Sequence, residues 1–337
     1  MKSIKLAIHH RAGSFSEQWI AYCREKKIPF KIVNCYHSDI IQQLQDCDAL
    51  MWHHDFTVYQ DLLFAKELLF SIQHSGKKVF PDFHSTWHYD DKIGQKYLLE
   101  SIGAPVIPTY VFYDKKSALT WIRDVTFPKV FKLKGGSGAR NVRLVKNQRQ
   151  ARKLVNRCFG RGFSQYNKFG SIKERIRRFR EGKAPFYRIL TGIGRVFIVP
   201  EKARMVGAEK GYAYFQEFIP NNDYDIRLIV IGDKAYGMKR MNRKNDFRAS
   251  GSANFVYDPI PPRVLKIAFE TSEKLKLQSV AFDFVYDEER NPLIVEISYC
   301  FGTKGSSKCP GYWDKDLNWY EGQFDPQGWM VENLIKQ

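Results

Sequence analysis

Apolar residues in the first ninety positions fall into short runs separated by polar, turn-rich stretches. Ile4–His9, Phe30–Asn34, Ala49–Trp52 and Lys78–Pro81 read as strands. Glu17–Lys26, Ser38–Gln45 and Tyr59–His74 space their apolar residues three and four apart, which predicts helices on an apolar stripe. Strands alternating with helices imply right-handed βαβ units and a small parallel sheet. Ligands of such sheets sit beyond the carboxyl ends of the strands. Those ends carry His9, His10 and Arg11, then His53, His54 and Asp55, then Asp82 and His84. Substrate contact and ordinary strand-end polarity both account for them. Arg11, His53 and Asp82 are the positions expected to shape substrate choice.

Further on, Asp91–Ile102 and Gln148–Cys158 read as helices, with two strands between them around the loop Lys134–Asn141. The segment 160–205 is strongly basic. Within it, Ser171–Arg180 predicts a helix with Ile172, Ile176 and Phe179 on one face. It is either a solvated basic helix or a surface for an acidic substrate or a membrane. Near the end, Ser279–Val285 and Leu293–Ser298 predict two strands about the turn Glu288–Asn291. A regular hairpin puts Asp283 opposite Glu296. Like charges so placed repel, and each raises the pKa of the other. A hard cation with oxygen ligands would relieve them; two carboxylates on a solvated face are the alternative.

The 337 residues exceed one typical domain, and 44% hydrophobic with 15% aromatic content supports buried cores. The net charge of +18 calls for an anionic partner. The opening residues do not read as a signal peptide, and no run is long enough to span a membrane. Six cysteines without a C-x-x-C pair suit reduced thiols and a cytoplasmic protein. No helix-turn-helix, RNA-recognition or zinc pattern accompanies the charge, so no nucleic-acid partner is expected. The tail Cys309–Trp329 is rich in aromatic residues that either pack onto a domain or present a sugar-stacking face.

Phe127–Val145 reads FPKVFKLKGGSGARNVRLV. A strand ends in Lys132, and Gly136, Ser137 and Gly138 form a loop whose backbone N–H groups can converge on phosphate. It lacks the G-K-[ST] ending of a Walker loop, and a strand rather than a helix follows. With Asp91-Lys92, Gln216-Glu217-Phe218-Ile219, Asp225-Ile226-Arg227, Asn245-Asp246-Phe247-Arg248, Asp283 and Glu296 in this order, the chain resembles the ATP-grasp superfamily. The likeness is to its RimK and glutathione-synthetase-like carboxylate–amine ligases, and covers about Lys78 to Ser298.

That resemblance implies an α/β (α+β) ATP-grasp fold behind a Rossmann-like N-terminal domain. The expected divisions are 1–88, 89–213 as the lid with the basic insertion, and 214–337 with the metal site and aromatic tail. It implies ATP and Mg²⁺ as cofactors, with Lys92, Lys132 and the glycine loop at the phosphates. Gln216–Ile219 would meet adenine, with Glu217 and Phe218 at the base, and Asp225 would lie near the ribose. Asp283, Glu296 and Ser298 would lie at the metal, although the family has Asn where this chain has Ser298. Arg248 would face phosphate, with Lys239 and Arg240 as candidate catalytic groups beside Arg227 and Arg243. The implied activity joins a small carboxylate to an amine through an acyl phosphate, with a cell-surface sugar or its precursor as a candidate acceptor. Phosphorylation of a hydroxyl by a kinase of the same fold is the alternative.

Overall fold

The computed structural model describes residues 4–135, 141–164, 207–243, 246–249, 254–303 and 305–337, with positions 176, 179, 185, 187 and 205. Gly136, Ser137, Gly138 and most of the basic segment 160–205, with all of its expected helix except Ile176 and Phe179, lie outside the described residues. The chain forms two compact units: Met1–Ile107 with Ile219–Gln337, and Pro108–Phe218.

The first unit starts with β1 (Leu6–His9), α1 (Ser16–Glu25), β2 (Phe30–Val33), α2 (Ile40–Gln43), β3 (Ala49–Trp52), α3 (Tyr59–His74) and β4 (Lys78–Phe80). α4 (Phe83–Thr86) and α5 (Lys92–Ser101) follow. The four strands make a parallel sheet in the order β2-β1-β3-β4. Alternate side chains take opposite faces of a strand. Ala7, Leu50 and Trp52 therefore pack with Ala65, Leu69 and Ile72 of α3, while Leu6, Ile8 and Met51 pack with Trp19 and Ile20 of α1.

The second unit holds β5 (Thr109–Phe112), α6 (Lys115–Asp124), β6 (Lys129–Lys132), β7 (Arg143–Val145) and α7 (Gln148–Cys158). It continues through β8 (Phe163–Ser164), β9 (Ala208–Glu209) and β10 (Ala213–Glu217). Its four-stranded sheet runs β5-β10-β6-β7, and Phe131 and Phe215 pack on Ala118, Ile122, Ala151 and Val155 of the two helices.

The chain then returns to the first unit with β11 (Tyr224–Ile231), β12 (Lys234–Met241), β13 (Phe255–Val256) and α8 (Pro262–Lys274). β14 (Ser279–Tyr286), β15 (Pro292–Ser298), β16 (Gly311–Asp314), β17 (Trp319–Glu321) and α9 (Pro326–Lys336) complete it. The path β15-β14-β11-β12-β16-β17 is one antiparallel sheet, with β13 on β12. On one face Ile226, Leu228, Val230, Phe282, Phe284 and Ile297 pack on Val264, Leu265 and Ala268 of α8, with Leu99 of α5. On the other, Ile229, Ile231, Tyr236, Met238 and Ala281 join the core of Leu6, Ile8, Trp19 and Met330. That second face is apolar only along part of its strands. Asp225, Arg227, Arg240, Asp283 and Glu296 continue it, and the candidate site is built there. In the tail, Tyr312, Phe324 and Trp329 stack on one another and on Tyr236, leaving Trp319 and Tyr320 exposed. No described helix is long and apolar enough to cross a membrane, and none of the six cysteines is in a disulfide.

Candidate active site

Asp283 does lie opposite Glu296, although the hairpin that puts it there is not regular. Its strands close at Tyr286 and Pro292 around Asp287–Asn291, one residue out of step with the expected turn. The register shifts again between Asp283 and Phe284, because Phe284 pairs with Ile294, so Val295 is an extra residue on β15. This bulge restores the expected pairing and sends both carboxylates to one face.

The repulsion expected between the two carboxylates is offset by side chains. Arg227 stands opposite Asp283 on β11 and forks it, Nε to Oδ1 and Nη2 to Oδ2 both at 2.8 Å. Arg240 Nη2 reaches Asp283 Oδ2 at 2.8 Å and also forks Asp225 at 2.5–2.6 Å. Lys92, the first residue of α5, places Nζ 3.0 Å from Glu296 Oε1. Asp91 caps that helix by accepting from the N–H groups of Ile93 and Gly94, which fixes where the lysine emerges. Three carboxylates and three cations thus share one face.

Burial raises the pKa of Asp283, but the two guanidiniums outweigh it and hold the carboxyl well below its ordinary value. Asp225 goes the other way: its burial is only partly countered by Arg240. Arg240 is destabilised by burial, yet Asp283 and Asp225 keep its pKa above normal. A cation between the carboxylates is therefore required, as charge balance demands, but protein groups supply it. Asp225, expected near a ribose, has both its oxygens bonded to Arg240.

Lys239 and Arg240 are consecutive on β12 and so face opposite ways. Lys239 leaves the carboxylate face, pairs with Asp258 at 2.8 Å and lies over the Tyr224 ring. The two candidate catalytic groups therefore stand on opposite faces of the sheet. Arg248 forks its neighbour Asp246 at 2.6–3.0 Å. Ser298 lies opposite Ala281 and donates its hydroxyl to the carbonyl of Cys300 at 2.8 Å.

In the second unit Lys132 is buried at the end of β6, opposite Tyr214. Gln216 takes the same face and donates to Thr109 Oγ1 at 3.1 Å. Glu217 alternates to the helix-covered face with Phe215, where Lys129 Nζ meets both its oxygens at 2.5–2.6 Å. Its side chain is thus not at a base contact on the Lys132 face. Lys129 was not anticipated from sequence. Its signal was the register, since a β6–β10 pair that joins Tyr214 to Lys132 must join Glu217 to Lys129. Phe218 and Ile219 follow β10 and are half-buried.

Of the strand-end histidines, His9, His53 and His54 are buried, whereas His10 and His84 are exposed. His9 Nδ1 accepts from the Cys35 N–H and His53 Nδ1 from the Phe15 N–H, both at 3.0 Å. Burial, with a smaller contribution from Arg11, pushes His53 down to about 3 and His9 to about 4. Cys300 Sγ lies 3.1 Å from His53 Nε2, but burial lifts the thiol to about 12. The pair is thus neutral thiol and neutral imidazole, not an activated nucleophile. Asp82 caps α4 through Ser85 N and is also structural.

The resemblance implies magnesium. The oxygen chemistry of Asp283 and Glu296, on one face and directly opposed, fits a hard cation in kind. Glu296, with 31% of its side chain exposed and Lys92 on one oxygen, is the accessible member. Among the described residues no cluster of three or more His, Cys, Asp or Glu has metal-binding geometry.

The sequence profile of the RimK-like ATP-grasp domain matches residues 194–313. An α-aminoadipate–LysW ligase, LysX of Saccharolobus solfataricus, is 21% identical over 286 residues, 81% of this chain and 84% of its own. The RimK domain ATP-grasp protein of Sphaerobacter thermophilus superposes with a TM-score of 0.61 at 16% identity over 98% of both chains. The D-alanine–D-alanine ligase of Bacillus anthracis, solved with ATP, gives 0.52 at 12% identity over 92% of this chain and 90% of its own. Residues 194–313, which carry the strands of the carboxylate face, thus match the RimK-like ATP-grasp domain, and the chain has the fold of these ATP-grasp proteins of known structure.

Proposed function

We propose that this protein is an ADP-forming ligase that joins a carboxylate to an amine. The observation that carries the reading is the polar face of the antiparallel sheet, where Asp225, Asp283 and Glu296 pair with Arg227 and Arg240 of the sheet and with Lys92 of α5. Transfer of a phosphoryl group needs charge neutralisation and alignment more than covalent help. Arg240 is held by Asp225 as well as by Asp283, so it stays ordered when Asp283 takes another partner. Lys132 and Lys92 are buried ammonium groups suited to phosphate oxygens. The glycine loop Gly136–Gly138 would add backbone donors.

Asp283 and Glu296 would hold the magnesium, with Ser298 as a weaker neutral ligand. The ion supplies positive charge to the phosphate oxygens. Arg227 and Arg240, displaced from Asp283, would then be available to the transferring phosphoryl group. The substrate carboxylate attacks the γ-phosphorus, giving an acyl phosphate and ADP. The amine attacks the acyl carbon, forming the amide and releasing phosphate. Exclusion of water protects the acyl phosphate from hydrolysis. Unpaired thiols favour a reducing, cytoplasmic setting. Of the tail rings, only the exposed Trp319 and Tyr320 support a sugar-linked acceptor, because the others stack on the core.

The test is ADP release across a matrix of acids and amines. Release that needs both an acid and an amine supports the ligase. A phosphorylated product formed from an alcohol without any amine would replace it with the kinase.

A further inference from the structure

In the parallel sheet β1 lies between β2 and β3, and the helices that leave β1 and β3 cover opposite faces. Their loops therefore part at the carboxyl ends of these two strands. Such a switch point is where open parallel sheets hold ligands. Arg11 emerges from β1 and Asp55 follows β3, with 27% and 23% of their side chains exposed. Among the described residues, the Arg11 guanidinium meets His53 O at 3.3 Å and Asp55 Oδ2 at 3.5 Å, both through Nη2. Both contacts are long, and they leave the Nε side of the fork uncommitted.

The surrounding groups do not compete for that fork. Asp55 Oδ1 accepts from Thr57 N at 2.7 Å, and Asp61 accepts from Tyr36 and from Asp55 N. Neutral His53 and His9 add no charge. The corner is tied to the carboxylate strand, because Tyr299 donates to His54 O and Cys300 touches His53.

We propose that Arg11 anchors an anionic group of the substrate, a carboxylate or phosphate distinct from the reacting carboxylate. This rests on the ligase reading above. Arg11 is then a specificity-determining residue, and Asp55 orients its guanidinium while opposing a bound anion.

Calorimetric titration of the full chain with glutarate and with glycerol 3-phosphate tests this. Wild type should bind at least one, and which one distinguishes carboxylate from phosphate. Arg11→Ala should weaken that binding about tenfold or more, the loss of a charge-assisted bond, with ADP affinity unchanged. Arg11→Lys should restore part of it. Asp55→Asn keeps an acceptor for Thr57 N and removes the opposing charge, so it should tighten anion binding. Failure of both probes on wild type, equal binding by Arg11→Ala, or weaker binding by Asp55→Asn would overturn the proposal. Anion binding without ADP release in the acid–amine matrix would instead defeat only the ligase reading.

Discussion

Replacing Asp283 by Asn separates a carboxylate held by protein cations from one that waits for a metal. If the two opposed carboxylates were uncompensated, removing one charge would stabilise the metal-free protein. The structure gives the opposite sign, because Asp283 accepts two bonds from Arg227 and one from Arg240. Removing one partner of a buried ion pair costs about 3–5 kcal/mol. Two features reduce this here. Arg240 keeps Asp225, and Arg227, with 24% of its side chain exposed, can be rehydrated. A loss of about 2 kcal/mol follows, or roughly 5 °C in melting temperature for a unit of this size. Because the folded pKa of Asp283 is depressed, its contribution is present above the ordinary carboxylate pKa and is lost as pH falls below it. The deficit should therefore shrink in acid. The assay is thermal melting of wild type and Asp283→Asn without metal or nucleotide at pH 7 and again in acid. A variant that melts at or above wild type at neutral pH would refute the argument.

Three further outcomes are expected. Lys132→Met should leave the melting temperature near wild type and weaken ADP binding by titration calorimetry; unchanged affinity would move the phosphate site elsewhere. Lys129→Met should destabilise the second unit by about 1–3 kcal/mol, because it strands Glu217, and an unaltered melting curve would count against that ion pair. Burial holds His9, His53 and His88 neutral, at about 4, 3 and 4. The unfolded chain binds their protons first, so stability is present above about pH 6.5 and is lost as pH falls below it, by about 2 kcal/mol per histidine at pH 5. Denaturant midpoints that stay level from pH 7 to pH 5 would show these rings to be solvated.

The elements that position the site were legible where pattern and length agreed. Ala49–Trp52, Tyr59–His74 and Gln148–Cys158 fall where the apolar spacing puts them. Helices α6 and α9 were not read, although Asp114 and Asp325 each cap a following turn, accepting from Ser117 N and Gly328 N. Side-chain partners were harder to see. Asp283–Glu296 was readable because one hairpin joins the two residues. Asp283–Arg227 and Lys129–Glu217 need β11–β14 and β6–β10 pairings that no short-range pattern specifies. The strand-end histidines show the same limit: a polar residue at the end of a strand looks alike in sequence whether it meets substrate or a buried backbone N–H.

The central claim is tested most directly by ADP release measured with the acid alone, the amine alone and both together, in the presence of Mg²⁺. Release that rises only when both are present, with one amide formed per ADP, is the predicted result. ADP formed at the same rate without the amine, with phosphate left on an acceptor hydroxyl, would contradict it.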